Sequence, residues 1–162
     1  MKPLTVCAAL RVEARALRRG LRAASIPDAQ VRVVRTGYGP ARAAASAASI
    51  AASARGASQP GLAEPGPGML AVGGVGGALS ADLRVGDVVV ASRVSDGTVT
   101  VECASAPLLA GELRRAGLRV TTGPVATVDR LVRKGEHATL AATGAIAVDM
   151  ESAPLLAAAA GG

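Results

Sequence analysis

The chain has 162 residues, half of them hydrophobic, which is enough for one domain with a sizeable core and too apolar for a disordered chain. With one Tyr, no Phe and no Trp, the core must be built from Ala, Val and Leu, and stacking platforms for single-stranded nucleic acid are excluded. The formal net charge is +6, but there is no basic tail and no zinc-finger spacing, so solvated basic helix faces are expected and no nucleic-acid partner.

Leu4 to Leu10 reads as a buried first strand. Val12, Ala16, Leu17 and Leu21 then fall at helical spacing, predicting a helix to about Ala24. Arg11, Arg15, Arg18 and Arg19 sit on that same segment. Glu13 falls just past the strand, in the first helical turn, where the dipole favours an acid and where an open α/β sheet binds ligands. Val31 to Arg35 reads as a second strand, followed by the turn Thr36-Gly37-Tyr38-Gly39-Pro40 and an Ala-rich helix from Ala41 to about Arg55. A Gly-x-Gly turn before a helix can present backbone N–H groups to an anion, though an ordinary tight turn explains it equally well.

Gly56 to Gly68 reads as a Gly- and Pro-rich loop rather than a domain boundary. Met69 to Val72 is a third strand, running into Gly73-Gly74-Val75-Gly76-Gly77. That cluster would let a flat ligand lie against bare backbone. A dinucleotide-binding module is one alternative, but the fingerprint is broken and the helix it requires is not predicted. Val88 to Val94 and Thr98 to Cys103 are two strands joined by a hairpin turn at Asp96-Gly97, so the sheet is mixed. A helix from Pro107 to Ala116 follows, then a strand-like segment from Leu118 to Val128 broken at Gly123-Pro124 and closed by Asp129 to Val132. Lys134 to Ala142 is a short helix or a loop, and His137, the only histidine, belongs to the surface.

Ala145 to Val148 reads as a buried strand meeting Asp149-Met150-Glu151, with Ser152 placed to cap a last helix to Ala160. Burying two acids there requires partners, which ribose hydroxyls would supply. Cys7 and Cys103 sit in apolar settings with no secretory signal, so reduced thiols and a cytoplasmic protein are expected. No charge-free run reaches transmembrane length. No His–Cys–Asp–Glu cluster suggests a metal, and no cofactor is expected.

In order and spacing, four segments resemble the purine nucleoside phosphorylase and methylthioadenosine/adenosylhomocysteine nucleosidase superfamily. They are Ala8 to Glu13, Thr36 to Gly39, Gly74 through Val90, and Val148 to Ala153. The resemblance implies a single domain over 1–162: a three-layer α/β/α sandwich around a central mixed β-sheet. It also implies a homo-oligomer that cleaves the N-glycosidic bond of an adenine-type nucleoside, with water or with phosphate as co-substrate. By the same resemblance Glu151 holds the ribose and Met150 and Asp149 line the sugar. Val75, Gly76 and Gly77 would border the purine, Leu131 and Val132 would close over it, and Glu13 would activate water. Gly37, Gly39 and Arg42 would hold an anion. A hopanoid-associated subgroup, acting on an adenosyl-linked lipid, is the narrower expectation. Two departures stand out. Val72 and Val75 occupy places where some phosphorolytic members carry Arg and Ser. The family's last strand, with an Asp that protonates the leaving base, and its last helix have no counterpart in the 162 residues, which leaves a non-catalytic nucleoside-binding domain as the rival reading.

Overall fold

A computed structural model describes residues 4–56 and 69–160; the rest of the loop expected at Gly56 to Gly68, from 57 on, lies outside them. In chain order the elements are β1 (Leu4–Ala8), α1 (Arg11–Ala23), β2 (Val31–Arg35), α2 (Pro40–Gly56), β3 (Met69–Val72) and β4 (Gly77–Ala78). They continue with β5 (Val88–Ser95), β6 (Thr100–Glu102), α3 (Ala106–Arg115), β7 (Val120–Thr127), α4 (His137–Ala141), β8 (Ala147–Asp149) and α5 (Ser152–Ala160). The fold is mixed α/β, as the alternation of elements predicts. Its strands are hydrogen-bonded as two sheets, and the chain divides into two compact units.

The first unit comprises Met1–Val75 and Pro154–Gly162. Its sheet has the order β2-β1-β3 and is wholly parallel, with Leu4 paired to both Val31 and Met69. Parallel neighbours need crossovers, which α1 and α2 supply. Successive side chains of β1 point to opposite faces. Cys7, fully buried, packs with Ala43, Ala47 and Leu155; Ala8, also fully buried, packs with Ala14 and Val33. Ala43 and Ala47, four residues apart, share one helix face, and their small side chains let α2 approach the sheet closely.

The second unit, Gly76–Ala153, carries the sheet β4-β8-β7-β5-β6. β5, β7 and β8 run parallel, with antiparallel β4 and β6 at the edges, so this sheet is mixed as expected. Val90, Ala106 and Ala110 form its core, joined by half-buried Cys103, Leu113 and Val120. The hairpin turn falls where predicted: Asp96 Oδ1 accepts from the N–H groups of Thr98 (2.9 Å) and Val99 (2.8 Å), and Gly97 takes φ +89°.

Three local expectations are corrected. Gly123-Pro124 does not break its strand. The register steps from Ala91↔Gly123 to Val94↔Val125, so Pro124 sits at a bulge, where a missing N–H is tolerated. A Cβ on Gly123 would lie 2.6 Å from Ile146 Cδ1, so the glycine makes room for that side chain. Asp129 to Val132 adds no strand residues and is irregular. The pair Gly77–Ala78, read only as glycine-rich backbone, is a strand, paired with β8 through Gly77↔Val148.

Candidate active site

In the first unit the sheet's carboxyl edge carries Glu13. It lies in the first turn of α1, and its carboxylate bends back so that Oε2 accepts from Leu10 N–H at 2.7 Å. Oε1 accepts from Val75 N–H at 2.9 Å, and the residue is only 9% exposed. The chain reaches it because Gly73 N–H bonds Cys7 O at 2.9 Å, extending the ladder beyond β3. Gly74 then passes so close that a Cβ there would be 2.8 Å from Glu13 Oε1. Glu13, Gly73, Gly74, Val75, Val12 and Leu17 help line an apolar groove of about 650 Å³. Val75 is largely exposed.

The second βα turn lies in the same unit. Gly37 (φ +86°) and Gly39 (φ +92°) both occupy the left-handed region that favours glycine. A Cβ on Gly37 would meet Arg42 Cδ at 2.9 Å, so the exposed Arg42, in the first turn of α2, lies directly over that glycine. Thr36 anchors the turn: its N–H bonds Ala8 O at 2.9 Å, and its own carbonyl accepts from Ser46 Oγ at 3.1 Å. The three residues expected to hold an anion are therefore adjacent.

In the second unit Asp149 ends β8. Its Oδ1 accepts from Thr127 Oγ1 at 2.7 Å and its Oδ2 from Ser152 N–H at 3.1 Å. Thr127 Oγ1 in turn accepts from Ala153 N–H at 3.0 Å. Ser152 was expected to cap α5; instead it is the first helical residue, and Asp149 and Thr127 together satisfy the exposed donors of the helix. Sequence reasoning missed Thr127, because only the pairing Thr127↔Asp149 between β7 and β8 brings it there. Glu151 is 9% exposed, and its Oε2 accepts from Met150 N–H at 3.3 Å.

Gly76 and Gly77 owe their lack of a side chain to β8. A Cβ on Gly76 would be 2.9 Å from Val148 O, and one on Gly77 would be 3.0 Å from Val148 Cγ1. The cluster leads into β4 and a turn, with no helix after it, so the dinucleotide arrangement is not formed. Leu131 is largely exposed and Val132 half-buried. Their segment is tied by Arg130, which donates from Nη1 to Glu136 Oε2 at 2.8 Å and from Nη2 to Oε1. Arg133 N–H adds a further bond to Glu136 at 2.8 Å. The Arg130 hydrogen bond, then that of Arg133, hold the Glu136 carboxyl at about 2. His137 is exposed, as expected.

The chain belongs to the phosphorylase superfamily, whose family model matches residues 18–161. Solved structures resemble it over nearly its whole length. A Helicobacter pylori MTAN mutant with 5'-methylthioadenosine in the active site superposes with a TM-score of 0.79 at 16% identity, covering 99% of this chain and 80% of that one. A futalosine hydrolase mutant of Helicobacter pylori gives 0.77 at 18%, covering 99% and 84%. The 5'-methylthioadenosine/S-adenosyl homocysteine nucleosidase of Campylobacter jejuni gives 0.75 at 16%, covering 99% and 80%. At these identities the likeness is one of fold. No curated protein matches the sequence.

Proposed function

We propose that the chain cleaves the N-glycosidic bond of an adenine-type nucleoside. The observation that carries this reading is Glu13: a buried carboxylate held by two backbone N–H groups at the floor of an open apolar groove. The C–N bond breaks with its electron pair leaving on the base, which takes up a proton from solvent, and the ribosyl oxocarbenium-like cation left behind is stabilised by carboxylates more strongly than the neutral sugar is. In this reading Glu151 holds the ribose hydroxyls and Glu13 takes a proton from the attacking water, a role its position within a short reach of open space supports. Met150 packs on the sugar, Leu131 and Val132 cover the base, and Val75 to Gly77 form its border. Asp149, held by Thr127 and Ser152, positions the segment beside the sugar.

Water is favoured over phosphate as the acceptor. Val72 and Val75 offer no charge or hydroxyl to an anion, and the Gly37–Gly39 turn with Arg42 is the remaining phosphate site. The relatives' substrates make 5'-methylthioadenosine the first nucleoside to test, with the adenosyl-linked hopanoid as a narrower candidate. The assay is adenine release from 5'-methylthioadenosine and from adenosine, with and without phosphate. Release independent of phosphate and strongly lowered by Glu151→Gln is expected. If neither nucleoside yields adenine under either condition, the enzymatic reading is overturned.

A further inference from the structure

We propose that the groove beside α1 is a binding site for a linear oligophosphate, three or more phosphates long. Arg11, Arg15, Arg18 and Arg22 recur along α1 at steps of four, three and four residues. At 3.6 residues per turn they fall within a stripe about 60° wide, spread over about 16 Å of helix. Arg35, at the end of β2, joins them from a second element. With Ala14, the five arginines line a groove of about 510 Å³.

The charge of this groove is uncompensated. Among the described residues none of the five is in an ion pair, whereas Arg115, Arg119 and Arg130 each have a carboxylate partner. The acid of α1, Glu13, falls on the apolar side of the helix and spends both oxygens on Leu10 and Val75. Like charges one turn apart destabilise a helix, and an anion in the groove relieves that repulsion. One head group is held in place: Arg18 Nη2 donates to Val33 O at 2.9 Å.

The ligand class follows from geometry and composition. Guanidinium forks match phosphate oxygens two at a time. Linked phosphates lie about 3 Å apart, so three in a row span one step of about 5–6 Å between heads, which a single phosphate does not bridge. A strand of nucleic acid would need flat surfaces for its bases, and the chain has one Tyr with no Phe or Trp. This groove is distinct from the Gly37–Gly39 turn and owes nothing to nucleoside cleavage.

Calorimetric titration of the full chain decides the matter, using sodium tripolyphosphate, inorganic phosphate and a short single-stranded RNA. Tripolyphosphate is expected to bind at least tenfold more tightly than phosphate or than RNA of equal charge, and more weakly as salt rises. Arg15→Gln and Arg35→Gln, each on a different element, should weaken it about tenfold or more together. Arg115→Gln, on α3, should leave it unchanged. Equal affinity for both anions, tighter binding of RNA, or undiminished binding by either folded groove variant would overturn the proposal.

Discussion

Glu13 and Glu151 are equally buried, yet the proposed chemistry asks different things of them. A proton acceptor acts in the transition state, so Glu13→Gln should lower kcat for adenine release by about 10²–10⁴-fold with little change in KM. A group that grips the sugar acts in the ground state as well, so Glu151→Gln should both lower kcat and raise KM. Steady-state kinetics on 5'-methylthioadenosine separates the two; identical profiles would mean the roles are misassigned. Cys7 gives a prediction independent of activity. Burial pushes its thiol up to about 11, against a smaller opposing pull from Arg32. The folded state therefore favours the neutral thiol. That contribution is complete below the ordinary value of 9.0 and lost as pH rises toward 11. Chemical denaturation of wild type should show stability falling across this window, and Cys7→Ala should flatten the fall whatever its overall stability.

At the scale of elements, the junction of β7, β8 and α5 depends on one hydroxyl. Thr127 donates to Asp149 and accepts from Ala153 N–H. Thr127→Val keeps the shape and leaves a buried N–H unpaired, so a loss of about 1–3 kcal/mol is expected. Thr127→Ser, which keeps the hydroxyl, should lose less. Urea unfolding of the two variants measures the difference, and equal stabilities would remove Thr127 from the capping role. The glycines of the cluster work at this scale too: Gly74 clears the Glu13 carboxylate, while Gly76 and Gly77 clear Val148. Their spacing was legible as a place of close approach. What approaches is protein on one side, which only the pairing of β4 with β8 reveals.

For the whole molecule, two sheets with separate cores predict two separate regions of protection. β1 is the middle strand of the first sheet, and β7 is the central strand of the second. Amide hydrogen exchange should be slowest in these two strands and faster in the edge strands β2 and β6. Faster exchange throughout β1 than in β2 would show that the first core is not organised as described. No helix among the described residues is long and apolar enough to cross a membrane.

Most of the elements follow from local pattern. The periodicity of Val12 to Leu21, the strands Val31–Arg35 and Met69–Val72, and the helix from Ser152 to Ala160 are each written in a short run of residues, because hydrophobic spacing acts over a few positions. The acids Glu13, Asp149 and Glu151 were likewise visible as carboxylates at strand ends. Their partners were not. Val75 reaches Glu13 across 62 residues, and Thr127 reaches Asp149 across 22. The strand through Gly123-Pro124 depends on a bulge in β5, and the basic groove on Arg35 of β2 meeting the arginines of α1. Such contacts arise from strand register and helix placement. These are set by the packing of distant segments, which no local run of residues encodes.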